Sequence, residues 1–169
     1  MDEIRFKSID EADLPAVLEI YNHYLLTTTA TFRLQAIPIE TLRSFIFLNH
    51  DRYKAYLIHH QDQVAGFCFL TRYKDLQAYD RTAEIGVYLE PDFTRRGLGT
   101  AAVAHLEQVA AASGLKMIIA SISGENTASL ALFRKLGYRE CGHFKRVGEK
   151  FGRVIDVVYF QRSLENTAS

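Results

Sequence analysis

The amino-acid sequence predicts a mixed α/β domain: a central, mostly antiparallel sheet with helices on both faces. One observation behind this is a pair of β-branched and aromatic runs, Tyr53 to His59 and Val64 to Tyr73, flanking Gln61-Asp62-Gln63 as a hairpin. A second is the alternation that follows: strand 82–90, helix 97–113, strand 116–122, helix 126–136, and closing strands 138–143 and 154–161. Strand, helix and strand in that order make a crossover unit, whereas the hairpin makes an antiparallel meander. The third is size. A chain of 169 residues, 48% hydrophobic and 24% charged, has the length and composition of one globular domain. At that length folding buries roughly 70% of the unfolded surface. The expected domain spans 1–164, with 165–169 a polar tail.

Each element has a local reason. Ile4, Phe6 and Ser8 alternate with Arg5 and Lys7, the period of a short strand. Asp10-Glu11-Ala12-Asp13 offers an N-cap and an acidic first turn. Leu14, Val17, Leu18, Tyr21 and Leu25 follow at helical spacing, so the helix covers about 11–26. Thr27 to Thr31 is polar and β-branched and reads as loop. Pro38 suits the first turn of a second helix, continued by Leu42, Phe45, Ile46 and Asn49. Pro91 stops strand 82–90, and 92–96 is a loop. Gly114 closes the Ala-rich helix 97–113, and Gly137 caps helix 126–136. Strand 116–122 is apolar enough to be buried on both faces.

Composition excludes several classes. Lys+Arg and Asp+Glu are 20 each, so the formal charge is zero. A dedicated nucleic-acid binder carries a basic excess, and an acidic disordered tail carries the opposite. The two cysteines, Cys68 and Cys141, make no disulfide framework, and Cys68 lies in the apolar run 65–70. No stretch has the length and apolarity of a signal peptide or membrane span, so a cytoplasmic protein without membrane contact is expected. His59 and His60 point to opposite sides of their strand, and His23, His50, His105 and His143 lack ligand spacing, so no metal is expected.

The sharpest local feature is Arg95-Arg96-Gly97-Leu98-Gly99-Thr100, set between a strand and a helix. The first-turn N–H groups of a helix point out of its end, and the dipole favours an anion there. Glycines let a ligand approach the backbone, and arginines add charge with bidentate geometry. This composition points to a phosphate or pyrophosphate. The blander alternative is a helix start with packing glycines and solvated arginines. Gly97 to Ala102 also fits the G-x-G-x-x-G/A dinucleotide expression. Against that, Pro91 to Arg96 separate strand from glycine, and Ser121, Ser123 and Gly124 stand where a ribose-binding carboxylate is needed.

Thr94-Arg95-Arg96-Gly97-Leu98-Gly99, followed by Asn126 and then Phe133-Arg134-Lys135-Leu136-Gly137-Tyr138, resembles the GNAT superfamily of N-acetyltransferases. Ile20-Tyr21-Asn22, Thr29-Ala30-Thr31-Phe32, Ala78-Tyr79, Thr82-Ala83-Glu84 and the run 142–158 are similar to its phosphinothricin and methionine-sulfone acetyltransferase branch. The resemblance spans about residues 4–164 and implies the GNAT acyl-CoA N-acyltransferase fold, acetyl-CoA as cosubstrate and a small amine as acceptor. It implies Glu84 as the base that takes the ammonium proton. The backbone of Val87, Tyr88 and Leu89 would meet the pantetheine. Arg95, Arg96, Gly97, Leu98, Gly99 and Thr100 would hold the pyrophosphate. Asn126, Ser129 and Phe133 would line the pantetheine arm, and Phe32, Tyr73, Lys74 and Tyr79 the acceptor. The alternative for Glu84 is an ion pair with Arg81 or Lys74, and for Asn126 an N-cap that coexists with ligand binding.

The chain also departs from the family pattern. Thr94 stands where Gln or Arg is usual, and Phe133 where a proton-donating Tyr is common. Leu76 and Asp80 replace arginines of the acceptor loop. The branch commonly forms homodimers, so a homodimer is expected. The rival readings are a non-catalytic acyl-CoA sensor and, more remotely, an NAD(P)-dependent oxidoreductase.

Overall fold

The structure is a computed structural model that describes residues 3–47 and 51–165. Asn49 and His50, and all but Glu165 of the expected tail, lie outside the described residues.

Strand β1 (Ile4–Ser8) leads into a single 3-10 turn at Glu11–Asp13 and then α1 (Leu14–Thr27). The turn takes the place of the expected first helical residues. Asp10 accepts the Ala12 N–H at 2.9 Å and Asp13 accepts the Asp10 N–H at 2.9 Å, a reciprocal cap that starts the α-helix beside Pro15. Helix α2 (Ile39–Ile46) follows, then the hairpin β2 (Ala55–His60) and β3 (Gln63–Arg72). The second half runs β4 (Thr82–Leu89), α3 (Leu98–Ala112), β5 (Met117–Ser123), α4 (Thr127–Lys135), β6 (Arg139–Lys150) and β7 (Arg153–Ser163).

The sheet has seven strands in the order β1-β2-β3-β4-β5-β7-β6. Every neighbouring pair is antiparallel except β4 and β5, the strands joined by the α3 crossover. Two cores result, one on each face. Buried residues of α3 (Leu98, Ala102, Val103, Leu106, Ala110) pack with Leu130 and Phe133 of α4 on one side. On the other, Leu14, Val17, Ile20, Tyr21 and Leu25 of α1 and Leu42 and Ile46 of α2 cover Leu57, Phe67 and Phe69. The alanines of α3 let it approach the sheet closely.

One glycine in β4 is required by packing. Gly86 lies opposite Phe69, and a Cβ there would come within 2.5 Å of the Phe69 ring. Gly86→Ala is therefore expected to destabilise the fold by about 1–3 kcal/mol, as overpacking does, measured by urea unfolding.

Strand β6 is longer than the expected 138–143. Its register with β7 shifts between Phe144 and Gly148, and Arg146 sits at φ 56° in the left-handed region. Asp156 fixes that bulge by accepting the Arg146 N–H at 2.8 Å. The bulge breaks the two-residue alternation, so a period-two pattern stops short of it. Short 3-10 turns at Gln77–Tyr79 and Pro91–Phe93 fill segments read as loop. Cys68 is fully buried, which pushes its thiol up, while Cys141 is exposed. Among the described residues no helix is long and apolar enough to cross a membrane.

Candidate active site

The central feature of the site is where two strands part. Strand β4 pairs with β3 from Ala83 to Leu89, but with β5 only at Thr82, Ala83 and Glu84. Beyond Glu84, β5 continues with β7 as far as Ser123, leaving one edge of β4 open. The Glu90 N–H donates to Ala65 C=O at 2.8 Å. By the alternation of an antiparallel ladder, even residues of β4 are then bonded to β3, and Ile85, Val87 and Leu89 direct their backbone groups the other way. Val87 thus presents both N–H and C=O to the gap. Leu89 presents its N–H, because the Tyr24 hydroxyl donates to its carbonyl. Tyr88 is not brought to the gap: its backbone faces Phe67, and its ring stacks on Phe67 at 5.2 Å and meets Tyr21 and Tyr24 edge-on at 5.5 Å.

Glu84 sits on the last rung before the strands part, beside Ile119. Ala83 belongs to the α3 core, so the Glu84 side chain faces the α1/α2 side. Burial pushes its carboxyl up to about 6. No hydrogen bond or ion pair holds it among the described residues. The alternative partners are engaged elsewhere: Arg81 pairs with Glu165 at 2.8 Å, and the Lys74 ammonium lies over the Tyr73 and Tyr79 rings at 5.5 and 5.7 Å. A half-buried carboxylate without a cation, titrating near neutrality, has the properties of a general base.

At the far end of β4, residues 95–100 present a run of backbone N–H groups with no acceptor among the described residues. The first helical bond runs from the Ala101 N–H to Gly97 C=O at 3.0 Å. Arg95 (φ 61°) and Gly97 (φ 82°) are left-handed, so the chain curls into a concave nest at the helix start. The two glycines differ in purpose. Gly97 meets no atom within 4 Å and supplies the left-handed turn. A Cβ on Gly99 would lie 3.2 Å from Leu132 Cδ2, so its absence lets α4 close on α3. Arg95 and Arg96 are exposed, Arg96 lying 5.4 Å over the Phe93 ring. Leu98 is buried under the helix, and Thr100 is half-buried.

Asn126 caps α4, its Oδ1 accepting the Ser129 N–H at 3.2 Å. Phe133 is buried beneath the helix, edge-on to Tyr138 at 4.9 Å, and so belongs to the core. Beyond the end of β3, Tyr73 and Tyr79 meet edge-on at 5.6 Å beneath Lys74. Phe32 is 44% exposed on the segment between α1 and α2.

That segment is fastened by contacts no local pattern announces. Thr29 Oγ1 and Ser123 Oγ are 2.8 Å apart across 94 residues of sequence. The buried Lys150 ammonium donates to Thr31 C=O at 2.8 Å across 119 residues. A lysine beside a hairpin turn reads as solvated surface, and only the folded position of 28–37 gives it a partner. No group of three or more His, Cys, Asp or Glu that could hold a metal occurs among the described residues.

Comparisons with known proteins agree with this geometry. The profile described as the Acetyltransferase (GNAT) family matches residues 15–138. The phosphinothricin N-acetyltransferase of Streptomyces viridochromogenes is 34% identical over 163 residues, covering 96% of this chain and 88% of its own. The L-methionine sulfoximine/L-methionine sulfone acetyltransferase of Pseudomonas aeruginosa is 31% identical, with coverage of 94% and 93%. The phosphinothricin acetyltransferase of Sinorhizobium meliloti, solved in complex with AcCoA, superposes with a TM-score of 0.90 at 29% identity, covering 98% of this chain and 91% of that one.

Proposed function

The chain belongs to the acetyltransferase (GNAT) family, and on that premise we propose that it moves acetyl from acetyl-CoA to the amino group of small amino-acid-like acceptors of the phosphinothricin, methionine sulfone or methionine sulfoximine type. The observation that carries this reading is the parting of β4 from β5 immediately after Glu84. The residues present fit the cosubstrate. The open edge of Val87 and Leu89 suits an amide-containing arm laid along it like an added strand. The nest at 95–100, flanked by Arg95 and Arg96, suits a pyrophosphate. Asn126 and Ser129, at the start of α4, are proposed to contact the pantetheine arm. Acetyl-CoA supplies an activated acyl group as a thioester.

The chain's own groups do the rest. An α-ammonium, with a pKa of about 8 in a peptide and higher beside a free carboxylate, is protonated at neutral pH, so a base is needed. Glu84, ionised above about 6, takes that proton directly or through water. The Val87 N–H faces the gap where the acyl oxygen gains charge, the place for an oxyanion donor. Phe133 has no proton to give, and a thiolate whose conjugate acid has a pKa of about 8.5 can take one from water. Arg81 is engaged by Glu165, so Lys74, its ammonium over the Tyr73 and Tyr79 rings, is the acceptor-loop cation proposed for an acceptor carboxylate. Leu76 and Asp80 leave that loop with fewer cations than the branch usually offers.

The test is a CoA-release screen across amino acids, phosphinothricin, methionine sulfone, methionine sulfoximine and peptides. Saturable CoA release with the amino-acid analogues is expected. Acetyl-CoA binding without release for any amine would make the protein a binding domain instead. A homodimer in the cytoplasm belongs to the same reading, and light scattering on the purified protein checks the dimer.

A further inference from the structure

The strands that part after Glu84 are linked again, on the Glu84 face, by the end of α1 and the segment that follows it. In the last turn of α1 the Tyr24 hydroxyl donates to Leu89 C=O, at the far end of β4. Past the helix, Thr29 Oγ1 lies 2.8 Å from Ser123 Oγ, at the end of β5. Ile118, Ala120 and Ile122 belong to the α3 core, so Ser123 shares its face of β5 with Ile119, the partner of Glu84. The chain from Tyr24 to Thr29 therefore bridges β4 and β5, and Thr31 and Phe32 follow directly behind the bridge.

The end of the β6–β7 hairpin grips this bridge along two lines. Lys150, the last residue of β6, donates its ammonium to Thr31 C=O at 2.8 Å. Arg153, its partner at the start of β7, holds Glu125 through hydrogen bonds of 2.8 and 2.9 Å, and Glu125 accepts from the Thr29 hydroxyl at 3.3 Å. The Phe151 ring serves both cations, lying 5.1 Å from the Lys150 ammonium and 5.6 Å from the Arg153 guanidinium.

The two cations differ in what they cost. Arg153 is exposed and paired with a carboxylate. Lys150 is 3% exposed, and no carboxylate pairs with it among the described residues. An ammonium buried without counter-charge weighs against folding, so its hydrogen bond is a poor source of stability. What it supplies is a fixed place for Thr31 and, through the next peptide, for Phe32.

We propose that Lys150 is a positioning residue for the acceptor: it pins the segment across the gap so that Phe32 is presented in one conformation, with Arg153 bracing the same segment through Glu125. A segment ordered in advance has less conformational entropy to lose when the acceptor binds. Lys150 itself touches neither acceptor nor acetyl-CoA. The proposal rests on the acetyltransferase reading above, with Phe32 as an acceptor contact.

Lys150→Met removes the ammonium and keeps an unbranched stem. With methionine sulfone and phosphinothricin as probes, it should raise the acceptor KM roughly tenfold. The kcat at saturating acceptor and the Kd for acetyl-CoA should stay within about twofold of wild type, because only the ordering of the segment is lost. A lysine needed merely for the fold would, on removal, disturb all three quantities together. Arg153→Gln should raise the acceptor KM in the same sense by roughly threefold, as befits an exposed pair, and it decides the question by the same split if Lys150→Met does not fold. An unchanged acceptor KM overturns the inference. So does a change shared by kcat and the acetyl-CoA Kd. Absence of CoA release by wild type with every amine would instead overturn the acetyltransferase reading, and this inference with it.

Discussion

Glu84→Gln lowers kcat at pH 7 by roughly a hundredfold or more, the usual contribution of a positioned general base, while acetyl-CoA affinity stays within about twofold. In wild type, kcat/KM climbs with pH through about 6, because burial raises the Glu84 carboxyl to that value and only the ionised form accepts a proton. The variant should lose that limb of the profile. The same substitution should make the protein more stable. A carboxyl whose folded value exceeds its ordinary 4.5 is favoured in its neutral form by the fold. Its stabilisation is complete below pH 4.5 and is lost as pH rises through about 6, so at pH 7 the ionised group weighs against folding. The substituted amide never ionises, so the variant should gain about 1–2 kcal/mol at pH 7 and nothing at about pH 4. Thermal unfolding of both proteins at the two pH values reads this directly. A loss of activity accompanied by a loss of stability at pH 7 would point to damaged packing instead of a missing base.

The second large effect belongs to the other end of β4. Arg95→Ala with Arg96→Ala should raise the Kd and KM for acetyl-CoA roughly 10- to 100-fold, two charge-assisted contacts having been removed. At saturation kcat should be close to wild type, because Glu84 and the open edge of β4 are untouched. Both arginines are exposed, so the difference should shrink as salt rises and screens the wild-type interaction. Calorimetric titration at low and high ionic strength measures both quantities. An unchanged Kd would place the pyrophosphate elsewhere.

The fold was legible because its elements carry period. Residues 14–25 repeat at helical spacing, the hairpin strands are β-branched and aromatic, and the glycines at 114 and 137 punctuate α3 and α4. What escaped was structure that interrupts its own period, above all the bulge at 144–148 that hid the second half of β6. The candidate site divides similarly. The concave helix start at 95–100 was legible because its parts are neighbours in the chain. The gap beside Val87 followed from the family resemblance and from no local pattern, because it exists only where β5 leaves β4 for a strand encoded more than thirty residues later. The same distance explains Gly99, whose reason is Leu132, and Tyr88, whose ring is claimed by α1. The fastening of 28–37 by Ser123 and Lys150 shows it most plainly. Two ordinary polar residues of β5 and β6 gain their partners only when the 28–37 segment, from the other half of the chain, comes to lie against them.

The proposed acetyl-CoA slot is the opening between β4 and β5, closed at one end by Glu84 and at the other by the nest at 95–100. Amide hydrogen exchange with and without acetyl-CoA tests this, since the amides in question have no acceptors among the described residues and should exchange fast in the free protein. Acetyl-CoA should slow exchange at Val87 and Leu89 and across Arg95 to Thr100, with little change in β1 and β2. Protection absent from both of those segments while acetyl-CoA is bound would contradict the account.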